Sequence, residues 1–107
     1  GFHRAKVDVR ALYDEERNGI QLSIVNQGSH RVRVSVYDKY TGRSIQESLE
    51  AGESVSKHWS LARSCGWYDL FLTVDEDSRF KRHFAGHVET GKDSISDPAM
   101  GRARLND

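Results

Sequence analysis

Apolar residues recur at every second position along most of the chain, the period of a β-strand with one buried face. The clearest run is Arg31 to Tyr37, where Val32, Val34 and Val36 share one face and Arg31, Arg33, Ser35 and Tyr37 the other. The alternation also marks Lys6 to Tyr13, through Val7, Val9, Ala11 and Tyr13, with Leu12 out of phase. It continues through Ile20, Leu22 and Ile24, then more weakly from Arg43 to Leu49, where Ile45 and Leu49 point inward. Val55, Trp59 and Leu61 mark a fifth run in which Lys57 is the exception. Gly66 to Val74 forms a sixth. In the seventh, Phe80, Arg82, Phe84, Gly86 and Val88 share a phase against Lys81, His83 and His87. Between the runs lie turn signals such as Asn18-Gly19 and Asn26-Gln27-Gly28-Ser29, whose residues tolerate positive φ. About seven short strands with turns every roughly 8–12 residues predict an all-β antiparallel sandwich of the immunoglobulin or fibronectin type. The Cys…Trp…Cys framework of antibody domains is absent. From Glu89 periodicity is lost, so the division expected is a sandwich over 1–90 and an irregular tail over 91–107.

The sixth run organises the rest. Tyr68, Leu70, Leu72 and Val74 make a core-facing parity, while Trp67, Asp69, Phe71 and Thr73 make a face too aromatic for plain solvent. Leu61 followed by Gly66-x-Tyr68 resembles a tyrosine corner, in which the phenol packs inward and its hydroxyl bonds back to the preceding turn. Tyr68, Leu61, Leu70 and Leu72 are therefore the expected structural residues. Trp67 and Phe71, with Tyr37 on its own strand, make a candidate contact surface, because aromatic faces attract quaternary ammonium groups, sugars and lipid headgroups. Arg31 and Arg33, adjacent in phase, are candidate holders of a phosphate. The alternatives are a tail folded over the rings and arginines that simply solvate a sheet face.

Composition narrows the function. The 107 residues suffice for one domain, and 16 basic residues balance 16 acidic ones. Global charge therefore points to no nucleic-acid partner. No apolar run is long enough for a transmembrane helix. The chain opens at Gly1 on a mixed stretch rather than a signal-peptide pattern, as expected of a domain taken from a longer protein, and a secreted parent stays open. The single cysteine, Cys65, reads as an inert, partly buried thiol. His83 and His87 would pair on a helix, but on a strand they stand roughly 13 Å apart, so no metal site is expected. Asp75 and Asp77 read as turn residues. No nucleophile–base arrangement, phosphate-cradling loop or Cys/His cluster appears, so no catalytic residue and no cofactor is expected.

Gly66-Trp67-Tyr68-Asp69-Leu70, then Phe80-x-Arg82-x-Phe84-Ala85-Gly86-His87-Val88-Glu89-Thr90-Gly91 and Ser94-x-Ser96-Asp97-Pro98-Ala99, carry a resemblance, supported by Leu22-x-Ile24-x-Asn26-x-Gly28 and Tyr37-x-x-Tyr40. The chain resembles the C-terminal domain of bacterial phosphocholine-preferring phospholipases C, of the hemolytic and non-hemolytic types. The likeness spans nearly the whole chain and is strongest from Leu61 to Ala99.

The resemblance implies a parent whose large N-terminal catalytic domain, alkaline-phosphatase-like, cleaves phosphatidylcholine or sphingomyelin to phosphocholine. It implies export by the twin-arginine route, hence a secreted or periplasmic location for the parent. No segment here matches the catalytic machinery. The expectation is a non-catalytic accessory β-sandwich, one of a set often present in tandem, that supports stability, domain docking or lipid-substrate targeting. Its implied partners are the parent's catalytic domain and a phosphatidylcholine or phosphocholine headgroup. A free-standing carbohydrate-binding or adhesion sandwich is the competing expectation.

Overall fold

A computed structural model of the chain describes residues 4–88. They form seven strands: β1 (Val7–Asp14), β2 (Gly19–Asn26), β3 (Val32–Asp38), β4 (Arg43–Leu49), β5 (Ser54–Ser60), β6 (Trp67–Val74) and β7 (Asp77–His87). Each pairing is antiparallel. Three strands make one sheet in the order β1-β2-β5, and four make the other in the order β4-β3-β6-β7. The expected all-β, seven-strand layered architecture is therefore present. The proposed tail, residues 91–107, lies outside the described residues.

Alternation accounts for the core. Ile20, Leu22 and Ile24 of β2, Val32, Val34 and Val36 of β3, and Leu70, Leu72 and Val74 of β6 are all buried in one cluster. Leu22 and Leu72 have no exposed surface at all. Full burial of a side chain of that size contributes about 1.5–3 kcal/mol. The central strands carry the strictest alternation because sheet neighbours flank them on both sides.

Elsewhere the alternation is altered at identifiable places. The inward phase of β1 is open to solvent at its far end, where Ala11 and Tyr13 are exposed beside Leu12. Arg82, in the inward phase of β7, is also exposed, and its guanidinium lies 4.2 Å over the Phe80 ring. Lys57, the exception on β5, meets Glu47 of β4 in the other sheet, with Nζ 2.6 Å from Oε2. β5 and β4 are the edge strands of their sheets, so this pair closes one side of the sandwich with charge rather than hydrocarbon.

The loops are fastened by polar groups. Asn26 is fully buried, and its Nδ2 donates to the carbonyls of His30 (2.8 Å), Leu49 (3.0 Å) and Glu50 (3.1 Å). Its Oδ1 accepts from the Gly28 amide at 3.0 Å. One side chain thus ties the β2–β3 connection to the β4–β5 connection. Asp77 fastens the start of the chain: Oδ2 accepts from the Ala5 amide at 2.9 Å and Oδ1 from the Arg79 amide at 3.1 Å. The Ala5 hydrogen bond is the main cause holding the Asp77 carboxyl below its ordinary value.

Two expectations are corrected. The Tyr68 hydroxyl forms no hydrogen bond to the preceding turn. Its ring packs against the core and lies over Gly86, its partner on β7; a Cβ on that glycine would sit 2.9 Å from the hydroxyl oxygen. The corner is closed instead by Ser64, whose Oγ donates to the Trp67 carbonyl at 2.5 Å. Leu61 is buried as expected and accepts from the Gly66 amide at 3.1 Å. Cys65 is exposed rather than partly buried, because it occupies the left-handed region (φ 55°) in a tight turn completed by Gly66 (φ 91°). The Gly66 carbonyl accepts from the Val88 amide at 2.9 Å, and a Cβ there would come within 3.0 Å of the Val88 oxygen, so a side chain would be strained on both counts.

Candidate functional site

The outer face of the four-stranded sheet carries the aromatic residues singled out from the sequence. Register sets their neighbours. Tyr37 lies opposite Phe71, and Phe71 opposite His83, so three rings stand in one row across β3, β6 and β7. Tyr37 is 43% exposed and Phe71 38%, so both rings remain accessible to a partner. The His83 ring meets Phe71 edge-on, with centroids 5.9 Å apart, and its Nε2 lies 2.7 Å from Asp69 Oδ1.

Trp67 does not join this row. It lies four residues from Phe71 on the same strand face, roughly 13 Å away, with Asp69 between them. It is half-buried and stacks on His87, with ring centroids 4.4 Å apart and planes tilted by 32°. Its indole N–H is buried without a hydrogen-bond partner among the described residues. His83 and His87 are each engaged by a different partner, and no cluster of three metal-ligating side chains occurs among the described residues.

The two arginines stand at a third place. Arg31 precedes β3 and faces Glu50 at 3.8 Å. Arg33 donates to Gln46 Oε1 and lies 4.0 Å from Asp75, while its backbone amide donates to Glu76 Oε1 at 2.9 Å. Carboxylates thus face both guanidinium groups, so they form no unopposed positive pair. The structure brings Tyr37 and Phe71 together and separates them from Trp67 and from Arg31 and Arg33.

The alternation in the sequence did not reveal a cleft at one end of the domain, between the β3–β4 turn and the β5–β6 connection. Asp38, Arg43, Trp59, Arg63, Trp67 and Tyr68 are among its lining residues. With Tyr40 and Thr41 of the β3–β4 turn, the lining comes from four strands and two connections. The only signal available in the sequence was the density of aromatic and arginine residues close to turns.

Among known proteins, a family model for the bacterial phospholipase C C-terminal domain matches residues 7–87. The hemolytic phospholipase C of Pseudomonas aeruginosa is 41% identical over 101 residues, covering 90% of this chain and 14% of that protein. The non-hemolytic phospholipase C of Burkholderia pseudomallei is 37% identical over 92 residues, covering 85% of this chain and 13% of that protein. A non-hemolytic phospholipase C of Pseudomonas aeruginosa is 29% identical over 100 residues, covering 92% and 14%. The chain thus spans about one seventh of the length of these relatives. With the family match running from the first described strand to the last, the chain belongs to the bacterial phospholipase C C-terminal domain family.

Proposed function

We propose that this chain is a non-catalytic accessory domain of a phospholipase C that hydrolyses phosphatidylcholine or sphingomyelin, and that it acts by docking against the catalytic part and stabilising it. The observation that carries the reading is the match of residues 7–87 to a C-terminal domain family, together with coverage of only 13–14% of each relative. The parent would be secreted or periplasmic.

In this reading the Tyr37–Phe71 row is the contact surface. Two accessible rings side by side on the outer sheet face supply apolar area, and aromatic residues dominate contact energies at interfaces. The test is Tyr37→Ala/Phe71→Ala, made in the full-length enzyme and in the 107-residue chain. The expected outcome is a lower Tm and faster inactivation of the full-length enzyme, with the Tm of the chain alone unchanged. An unaffected full-length enzyme, or an equal loss in the chain alone, removes the docking role from these rings.

A further inference from the structure

The end cleft has a chemistry that the docking role does not use. Its volume is about 540 Å³, within the roughly 300–1,000 Å³ usual for small-molecule sites. Four arginines away from it face carboxylates: Arg10 with Asp8, Arg17 with Asp14, Arg31 with Glu50 and Arg33 with Asp75. Arg43 and Arg63, which line the cleft, have no carboxylate at ion-pairing distance among the described residues.

Asp38 makes this more specific. It lies directly opposite Arg43 in the β3–β4 ladder, where opposite charges ordinarily pair, yet no ion pair closes between them. Asp38 is largely buried, and its Oδ1 accepts from the Tyr40 amide at 2.9 Å. The cleft therefore holds one carboxylate and two guanidinium groups that do not neutralise one another, walled by the Trp59 and Tyr68 rings. Its rim is fixed beforehand, since Gly66 and Trp67 amides and the Ser64 hydroxyl all bond within the β5–β6 connection. Such preorganisation reduces the ordering cost of binding.

A ligand of one sign would leave half of this chemistry unused. We propose that the cleft binds a zwitterionic phosphate ester. Its phosphate would lie on Arg43 and Arg63, whose planar forks suit phosphate oxygens. Its substituted ammonium would lie against Asp38 and the aromatic walls, which attract methylated cations. The proposal deepens the accessory-domain reading by giving that domain a ligand class, while the cleft chemistry stands on its own geometry.

The experiment is amide and indole NMR of the 107-residue chain, titrated with phosphocholine, phosphoethanolamine, choline and inorganic phosphate, then with phosphatidylcholine vesicles. The expected result is saturable shifts with phosphocholine at Asp38, Arg43, Arg63 and the Trp59 indole. Phosphoethanolamine should bind about threefold or more weakly, because it lacks the methyl groups that favour the rings. Arg43→Gln/Arg63→Gln, at exposed positions, should weaken phosphocholine about a hundredfold, roughly tenfold for the charge-assisted hydrogen bond lost with each guanidinium, at an unchanged Tm. Added broadening with vesicles identifies a lipid headgroup as the source; a response to the soluble ester alone identifies a free ester. No saturable shift at the cleft, an equal response to inorganic phosphate, or wild-type binding by the double variant overturns the proposal. The sheet-face variants leave this titration untouched, so the two readings fail separately.

Discussion

The Tyr68 ring covers Gly86 on the neighbouring strand, and the space a methyl group would need on that glycine is filled by the phenol, with the hydroxyl oxygen 2.9 Å and Cζ 3.1 Å from it. The ring takes the place of the missing side chain, an aromatic rescue of a strand glycine. Gly86→Ala should therefore cost about 1–3 kcal/mol, as overpacking does. Tyr68→Phe should cost under about 0.5 kcal/mol, because among the described residues the hydroxyl makes no hydrogen bond to lose. Urea unfolding of both variants checks the pair; a large loss in Tyr68→Phe would restore the hydrogen-bonded corner expected from the sequence.

Asn26 should be the most sensitive polar position. Asn26→Ala removes the donor from three carbonyls and the acceptor from the Gly28 amide. Leaving buried groups unpaired costs about 1–3 kcal/mol or more. The expected readout is a lower urea midpoint, with faster hydrogen exchange at Gly28 and Gly52, whose amide donates to the Asn26 carbonyl. Asn26→Asp keeps the acceptor but loses the donor, and should be no better tolerated.

Lys57 and Glu47 close the sandwich edge at 2.6 Å with each side chain about one third exposed. Solvent screening at that exposure limits their coupling to about 0.2–1 kcal/mol. A double-mutant cycle with Lys57→Met and Glu47→Gln should return a value in that range that shrinks in high salt. A coupling of zero at low salt would show that hydrocarbon packing alone holds this edge.

Asp77 makes stability depend on acid. Its carboxyl is held below the ordinary 3.8, first by the Ala5 amide. A depressed folded-state pKa stabilises above the unfolded value, and the contribution is lost as pH falls through the folded value. Asp77→Asn should therefore be less stable than wild type near neutral pH, and the difference should narrow as pH falls below 3.8. A gap that stays constant across that window would detach Asp77 from the acid response.

The strand parities were legible because alternation is local: Val32, Val34 and Val36 face inward whatever the rest of the chain does, and so do Leu70 and Leu72. The pairing of Tyr37 with Phe71 was only half legible. Parity puts both on outer faces, but adjacency needs β3 beside β6, an order that alternation cannot give. Lys57 broke its pattern in the sequence for a reason visible only when β4 and β5 meet edge to edge. Asn26 read as a turn residue because its carbonyl partners Leu49 and Glu50 lie far along the chain. The cleft was hidden for the same reason, since Asp38, Trp59 and Arg63 converge only in the folded domain.

The most direct test of the proposed accessory role is release of phosphorylated headgroup from phosphatidylcholine, measured for the 107-residue chain alone, for the full-length phospholipase C proposed as its parent, and for that protein with the domain deleted. The expected result is no release by the chain alone, release by the full-length enzyme, and a deletion form that inactivates faster. Headgroup release by the purified chain, abolished by a substitution within it, would contradict a non-catalytic domain outright.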